Sequence, residues 1–279
     1  MSVTFNHICE LLESLEKVSA HRSPHPTKKV QEKSKKIITN WFAQHRKALD
    51  DRGTNGAAIL SIIFPHWRKD RVYNLKSAGL SRKITSLLNL NHGNQALLNS
   101  WTSRHHGDFG ACFETVAKRW DGTFRHKTPT PVEQVERLLT QLAAKCKFSS
   151  PATRQLWDKD INVDRLFKNV LIKLESWEAK WLVRLILGNY CTVEFDEDFV
   201  LEQFHFLLPD LLKFQNDFNK AFELLRGELS CYPANPDPSL QESILSEVAQ
   251  KLRPIVGVKI GRPTFHKAWV SCGKCQCHQ

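Results

Sequence analysis

No run of about 18 apolar residues occurs in this sequence, so no membrane-spanning helix is expected. The opening stretch Met1 to Glu10 carries Asn6, His7 and Glu10 where a signal peptide needs an apolar run, so no secretion signal is expected either. There is no P-loop and no dinucleotide-binding glycine fingerprint. Few segments alternate apolar and polar residues with period two, which argues against a sheet-rich fold. No fixed-period repeat is present, which argues against a regular solenoid. Negative charge is in short supply: 40 Lys and Arg stand against 29 Asp and Glu, a net charge of +11, with a pI near 9.3. Composition alone leaves two readings open, a plain basic protein and a partner of a polyanion such as nucleic acid.

What is present suits a folded chain. Hydrophobic residues make up 41% and aromatics 10%, with 16 Phe and 8 Trp, ample for a buried core. The eight cysteines, without a secretion signal, fit reduced thiols in the nucleus or cytosol. Phe5, Ile8, Leu11, Leu12, Leu15 and Val18 recur at helical spacing and predict a first helix. Thr27 to Leu49 reads as a second, lysine-rich at its start. Ala57 to Phe64, Leu80 to Leu90, Pro131 to Cys146 and Leu240 to Leu252 read as further helices, and Asp164 to Leu187 as a long helical region. Between Glu194 and Glu247 Lys213, Lys220 and Arg226 face about a dozen carboxylates. The positive excess therefore lies in the other segments and favours one basic face. The fold class expected is all-α, an irregular multi-helix bundle. Residues 1–232 form its main domain and 233–279 a linker helix and tail.

The stretch Arg104-His105-His106-Gly107-Asp108-Phe109-Gly110 stands out. Gly107 and Gly110 permit backbone angles closed to other residues. Asp108 is a good N-cap for a helix from about Ala111 to Arg119. A helix start exposes unpaired N–H groups and the positive end of the macrodipole, which together can hold a phosphate. Arg104, His106 and Lys118 add positive charge on either side.

The order and spacing of several segments resemble the N-terminal DNA-binding domain of eukaryotic ATP-dependent DNA ligases over most of residues 3–230. The nearest likeness is to the end-joining type, ligase IV, and its fungal relatives. The residues that carry it are Phe5, Leu11-Leu12-Glu13, Trp67-Arg68-Lys69-Asp70-Arg71-Val72-Tyr73-Asn74-Leu75-Lys76, Leu87-Leu88-Asn89-Leu90, Gly107-Asp108-Phe109-Gly110 and Lys180-Trp181-Leu182-Val183-Arg184. The resemblance implies an all-helical domain lying across the minor groove, gripping the backbone on both sides of a break. It further implies phosphate contacts from Gly107, Asp108 and Gly110, from Arg71 and Lys76, and from Lys180, Arg184, Gly188 and Asn189. One departure matters. Where the family has a basic residue, an apolar residue and a glycine, this chain reads Gly188-Asn189-Tyr190-Cys191-Thr192-Val193. Val193 cannot readily take a left-handed turn, so weaker DNA binding is expected than in an active ligase.

Ligases of this family attach AMP to the lysine of a Lys-x-Asp-Gly-x-Arg motif on a separate domain. That motif is absent. Lys118-Arg119-Trp120-Asp121-Gly122-Thr123-Phe124-Arg125 imitates it with one residue too many before Asp121 and another before Arg125. No catalytic residue is assigned, and no ligation is expected of this chain alone. ATP and magnesium would belong to the catalytic domain, into which Leu252-Arg253-Pro254-Ile255 resembles the linker. The tail Cys272-Gly273-Lys274-Cys275-Gln276-Cys277-His278 has zinc-ligand residue types. It lacks a second, distant pair, so no metal is assigned. The expected partner is DNA, with repair proteins as further candidates, in nuclear repair and recombination. The rival expectation is a helical protein-interaction scaffold that kept the fold and lost DNA binding.

Overall fold

The computed structural model describes residues 3–19, 28–51, 53–103, 107–119, 129–188, 190, 193 and 195–252. Among these residues the regular structure is helical, with a single isolated bridge between Thr4 and Pro131 and no strand. Helix α1 (Phe5–Ser19) turns Phe5, Ile8, Leu11, Leu12 and Leu15 inward, as its spacing predicts. Helix α2 (Lys28–Leu49) lies against it through Ile38, Trp41 and Phe42, and the Trp41 indole donates to the His7 carbonyl at 2.7 Å. Every residue of α3 (Gly56–Ile63) is buried, which marks a helix enclosed on all sides. A β-carbon at Gly56 would fall 2.4 Å from the Phe222 ring.

Helices α4 (Ser77–Leu88) and α5 (His92–Asn99) are separated by Asn89, whose φ of 49° ends the first, and Asn91, whose side chain caps the second. Asn91 thus opens a helix directly after the one expected over Leu80 to Leu90. Helix α6 (Phe109–Ala117) is followed by α7 (Val132–Ala144) and α8 (Pro151–Gln155), the latter capped by Ser150 with proline in its first turn.

The single region expected over 164–187 is two helices, α9 (Val163–Leu171) and α10 (Ser176–Leu187). A capping box of Glu175 and Glu178 restarts the chain between them. Ten of the residues of α10 are buried, so this helix runs through the middle of the bundle. The acidic segment folds into α11 (Glu197–Phe204), α12 (Leu208–Gln215) and α13 (Phe218–Arg226). Finally α14 (Pro238–Lys251) lays Val248 into the same core, against Leu207 and Leu211 beside α12.

Candidate nucleic-acid interface

Helices α6 and α10 pack against each other more intimately than any other pair. They run antiparallel: Asp108 at the start of α6 bonds Arg184, while Glu114 further along meets Lys180 at 3.7 Å. Gly110 makes this approach possible, because a β-carbon there would lie 2.6 Å from Arg184 Cγ and 3.1 Å from the Lys180 carbonyl oxygen. The need for glycine at 110 is thus helix packing, not a left-handed turn. Asp108 caps α6 as predicted, accepting from the Ala111 N–H at 3.2 Å. Since α6 begins where α10 ends, Gly107 and Gly188 come to the same end of the pair. Both are left-handed, with φ of 84° and 65°, and neither has a heavy atom within 4 Å of its missing β-carbon.

Lys180 and Arg184, expected to reach phosphate, are turned into the protein; this is a correction to the sequence reading. Their side chains are 7% and 3% exposed. Lys180 Nζ pairs with Glu13 and, at 3.0 Å, with Glu16. Arg184 pairs with Asp108 and, at 2.8 Å, with Glu16. Trp181 lies beneath both cations, 5.1 Å from Lys180 Nζ and 4.6 Å from the Arg184 guanidinium carbon, and donates its indole N–H to Glu13 at 2.9 Å. Burial alone would lower the Lys180 and Arg184 pKa values, but the hydrogen-bonded carboxylates outweigh it and hold both above their ordinary values. The reciprocal balance holds Glu16 and Asp108 below theirs: burial pushes upward, the Arg184 guanidinium pulls harder downward. Two cations facing four carboxylates have no charge left for an external phosphate.

Arg71 is corrected in the same way. Its side chain is 5% exposed and grips Glu136 as a fork, with one bond at 2.9 Å. Arg68 beside it holds Asp70 through bonds of 2.8 and 2.9 Å, and Arg68 and Thr153 bring the Asp70 pKa down to about 2 against the opposing effect of burial. These forks fix the segment 70–76. There Asn74 takes φ of 50° and Lys76 stands exposed at the start of α4, whose first turn has no side-chain cap. Arg71, Asn74, Lys76, Leu187 and Gly188 line one cleft of about 330 Å³. Lys118 is exposed, with Glu114 at 2.8 Å. Arg104, His106 and Asn189 lie outside the described residues.

A family model described as the DNA ligase N terminus matches residues 4–205. The chain belongs to this family. The match runs from α1 to the end of α11, so the ligase N-terminal domain includes the α6–α10 pair and the cleft beside it. No curated protein matches the chain.

Within this ligase domain the structure sets Gly107 and Gly188 at the same end of the α6–α10 pair, and Lys76 in the cleft with Gly188. It withdraws Lys180 and Arg184 to the interior and holds Arg71, in the cleft wall, against Glu136. Beyond Gly188, Tyr190 packs edge-on to Trp181 at 5.5 Å, and the Val193 N–H donates to the Tyr190 carbonyl at 2.9 Å with Val193 buried. Val193 is thus a core residue, at the position where the sequence departs from the resemblance. The sequence reading missed Asn74 and the uncapped start of α4; an asparagine between Tyr73 and Leu75 was the only signal. The sequence contains no Lys-x-Asp-Gly, and no three His, Cys, Asp or Glu side chains among the described residues are grouped to hold a metal. The cysteine-rich tail lies outside the described residues. No helix among them is long and apolar enough to cross a membrane.

Proposed function

We propose that this chain binds duplex DNA at a nick or break, through its sugar–phosphate backbone and without reading sequence. It would do so as the N-terminal module of an ATP-dependent DNA ligase of the end-joining type, in nuclear repair and recombination. The observation that carries this reading is that two open, left-handed glycine turns, Gly107 and Gly188, lie at the same end of the α6–α10 pair. Family membership and the net charge of +11 support it.

The charges decide which groups do the work. The start of α6 presents roughly half a positive charge, but the Asp108 carboxylate takes it up in capping the helix, so that end alone does not hold a phosphate. The end of α10 presents roughly half a negative charge at Gly188, so that turn alone repels phosphate. Lys76, across the cleft, carries a full positive charge and reverses the sign there. Backbone amides and lysines together give affinity that falls steeply with salt.

A gel-shift titration against nicked duplex at several salt concentrations tests the proposal. Binding at low salt that weakens steadily as salt rises is the expected result; absence of binding at low salt, or indifference to salt, refutes it. Ligation is not proposed for these residues, and incubation with labelled ATP should leave no covalent adenylate on the chain. The second reading, a helical scaffold for protein partners, is favoured by the enclosure of Lys180 and Arg184 and by the hold of Glu136 on Arg71, and it predicts no DNA binding in the same titration.

A further inference from the structure

Three of the large apolar side chains that remain exposed fall within ten residues. Phe148 is 61%, Leu156 58% and Trp157 45% exposed, on the two sides of the short helix α8. They are not held loosely. Gln141 of α7, itself buried, donates to the Leu156 carbonyl at 2.9 Å and accepts from the Asp158 N–H at 3.0 Å, clamping the main chain on both sides of Trp157. Ser149, also buried, accepts from the Val72 N–H at 3.0 Å and donates to the Ala143 carbonyl at 2.7 Å. The Ser150 N–H reaches the Asp70 carbonyl at 3.0 Å, and the Thr153 hydroxyl reaches the Asp70 carboxylate at 3.0 Å. The α8 hairpin is therefore pinned directly to the segment 70–72, which continues into Lys76 and the cleft with Gly188. Buried polar groups fix the backbone while the aromatic side chains face water, an arrangement that serves a contact rather than a core.

The surroundings say which contact. Lys145, Lys147, Arg154 and Lys159 are exposed in the same stretch, against Asp158 and Asp160, and Lys147 Nζ stands 5.1 Å from the Phe148 ring centre. Fixed aromatic faces among excess cations suit nucleobases that have left the duplex, because every base has a face to stack and a phosphate to neutralise. We propose that the α8 hairpin, with Trp157 as its main face, is a stacking platform for unpaired bases beside a strand break. The proposal rests on the DNA-binding function above and extends it to single-stranded DNA as a second ligand class.

Fluorescence anisotropy with three DNAs tests it: a simple nicked duplex, the same duplex with a short gap, and one with an unpaired flap. The unaltered chain should bind the gapped and flapped DNAs more tightly than the nicked one. Trp157→Ala should lose roughly 5- to 150-fold on the gapped and flapped DNAs, the range for one stacked base, and keep its affinity for the nicked duplex. Trp157→Phe should recover most of the loss, and the urea midpoint of both variants should match that of the parent. Trp157→Ala binding all three DNAs as the parent does overturns the proposal and leaves the patch to a protein partner. An equal loss on all three overturns it as well. If the parent binds not even the nicked duplex, the DNA-binding function fails first and this extension falls with it.

Discussion

Arg184 shows how a single side chain separates structure from function in this domain. It is enclosed, and it holds both Asp108 and Glu16. Removing one partner from a buried ionic cluster leaves the others desolvated and unpaired, at a cost of about 3–5 kcal/mol. Arg184→Met should therefore lower unfolding free energy by about that amount in urea titration. Gly110→Ala should cost about 1–3 kcal/mol by overpacking, since its new methyl group meets Arg184 Cγ and the Lys180 carbonyl. Lys76→Ala is the opposite case. Lys76 is exposed and caps nothing with its side chain, so its loss should leave the urea midpoint within about 0.5 kcal/mol of the parent while weakening DNA binding. If Arg184→Met left stability unchanged and Lys76→Ala unfolded the chain, the roles assigned to the two cations would be reversed.

Among the helices, local patterning was legible and long-range pairing was not. The inward faces of α1 and α7 and the Asp108 cap of α6 each rest on residues within one or two turns, so spacing reveals them. The break between α9 and α10 has no glycine or proline to announce it; a Glu175–Glu178 capping box makes it, and two glutamates three apart are common in unbroken helices. The inward turn of Lys180 was hidden for another reason. Its partner Glu16 is 164 residues away, and a cation on a mixed helix face reads the same whether it meets phosphate or carboxylate. The two halves of α6's anchoring can be told apart by substitution. Asp108→Asn keeps a capping oxygen but discards the charge that Arg184 needs, whereas Asp108→Ala discards both. The alanine variant should be the less stable by about 0.5–2 kcal/mol, the worth of an N-cap. Equal stabilities would mean that the cap contributes nothing and the ion pair alone fixes α6.

At the scale of the whole molecule, charge is distributed so that stability and binding respond to different conditions. Asp70, Glu16 and Asp108 have folded-state pKa values below their ordinary ones. Their stabilisation is complete above the unfolded values and is lost as pH falls through the folded ones, from about 4.5 toward about 2. Burial also holds His45 and His205 below the usual 6.5, so acid favours the unfolded chain there already at milder pH. The urea midpoint should accordingly decline in two stages on acidification, a shallow one below pH 6.5 and a steep one below pH 4.5. Binding should answer to salt instead. The acidic segment crowds Asp196, Asp198 and Asp210 around Glu202 closely enough that burial and these neighbours together raise its pKa, so this part of the surface repels a phosphate backbone. On the proposed function, DNA would be confined to the rest of the surface, and each phosphate neutralised would add about 0.9 to the slope of log affinity against log salt. Lys76→Ala should reduce that slope by about one contact's worth, whereas charge removal on the acidic segment, as in Asp198→Asn, should strengthen binding slightly at low salt, where the repulsion is unscreened, and should not reduce the slope. A slope unmoved by Lys76→Ala would take the cleft beside Gly188 out of the interface.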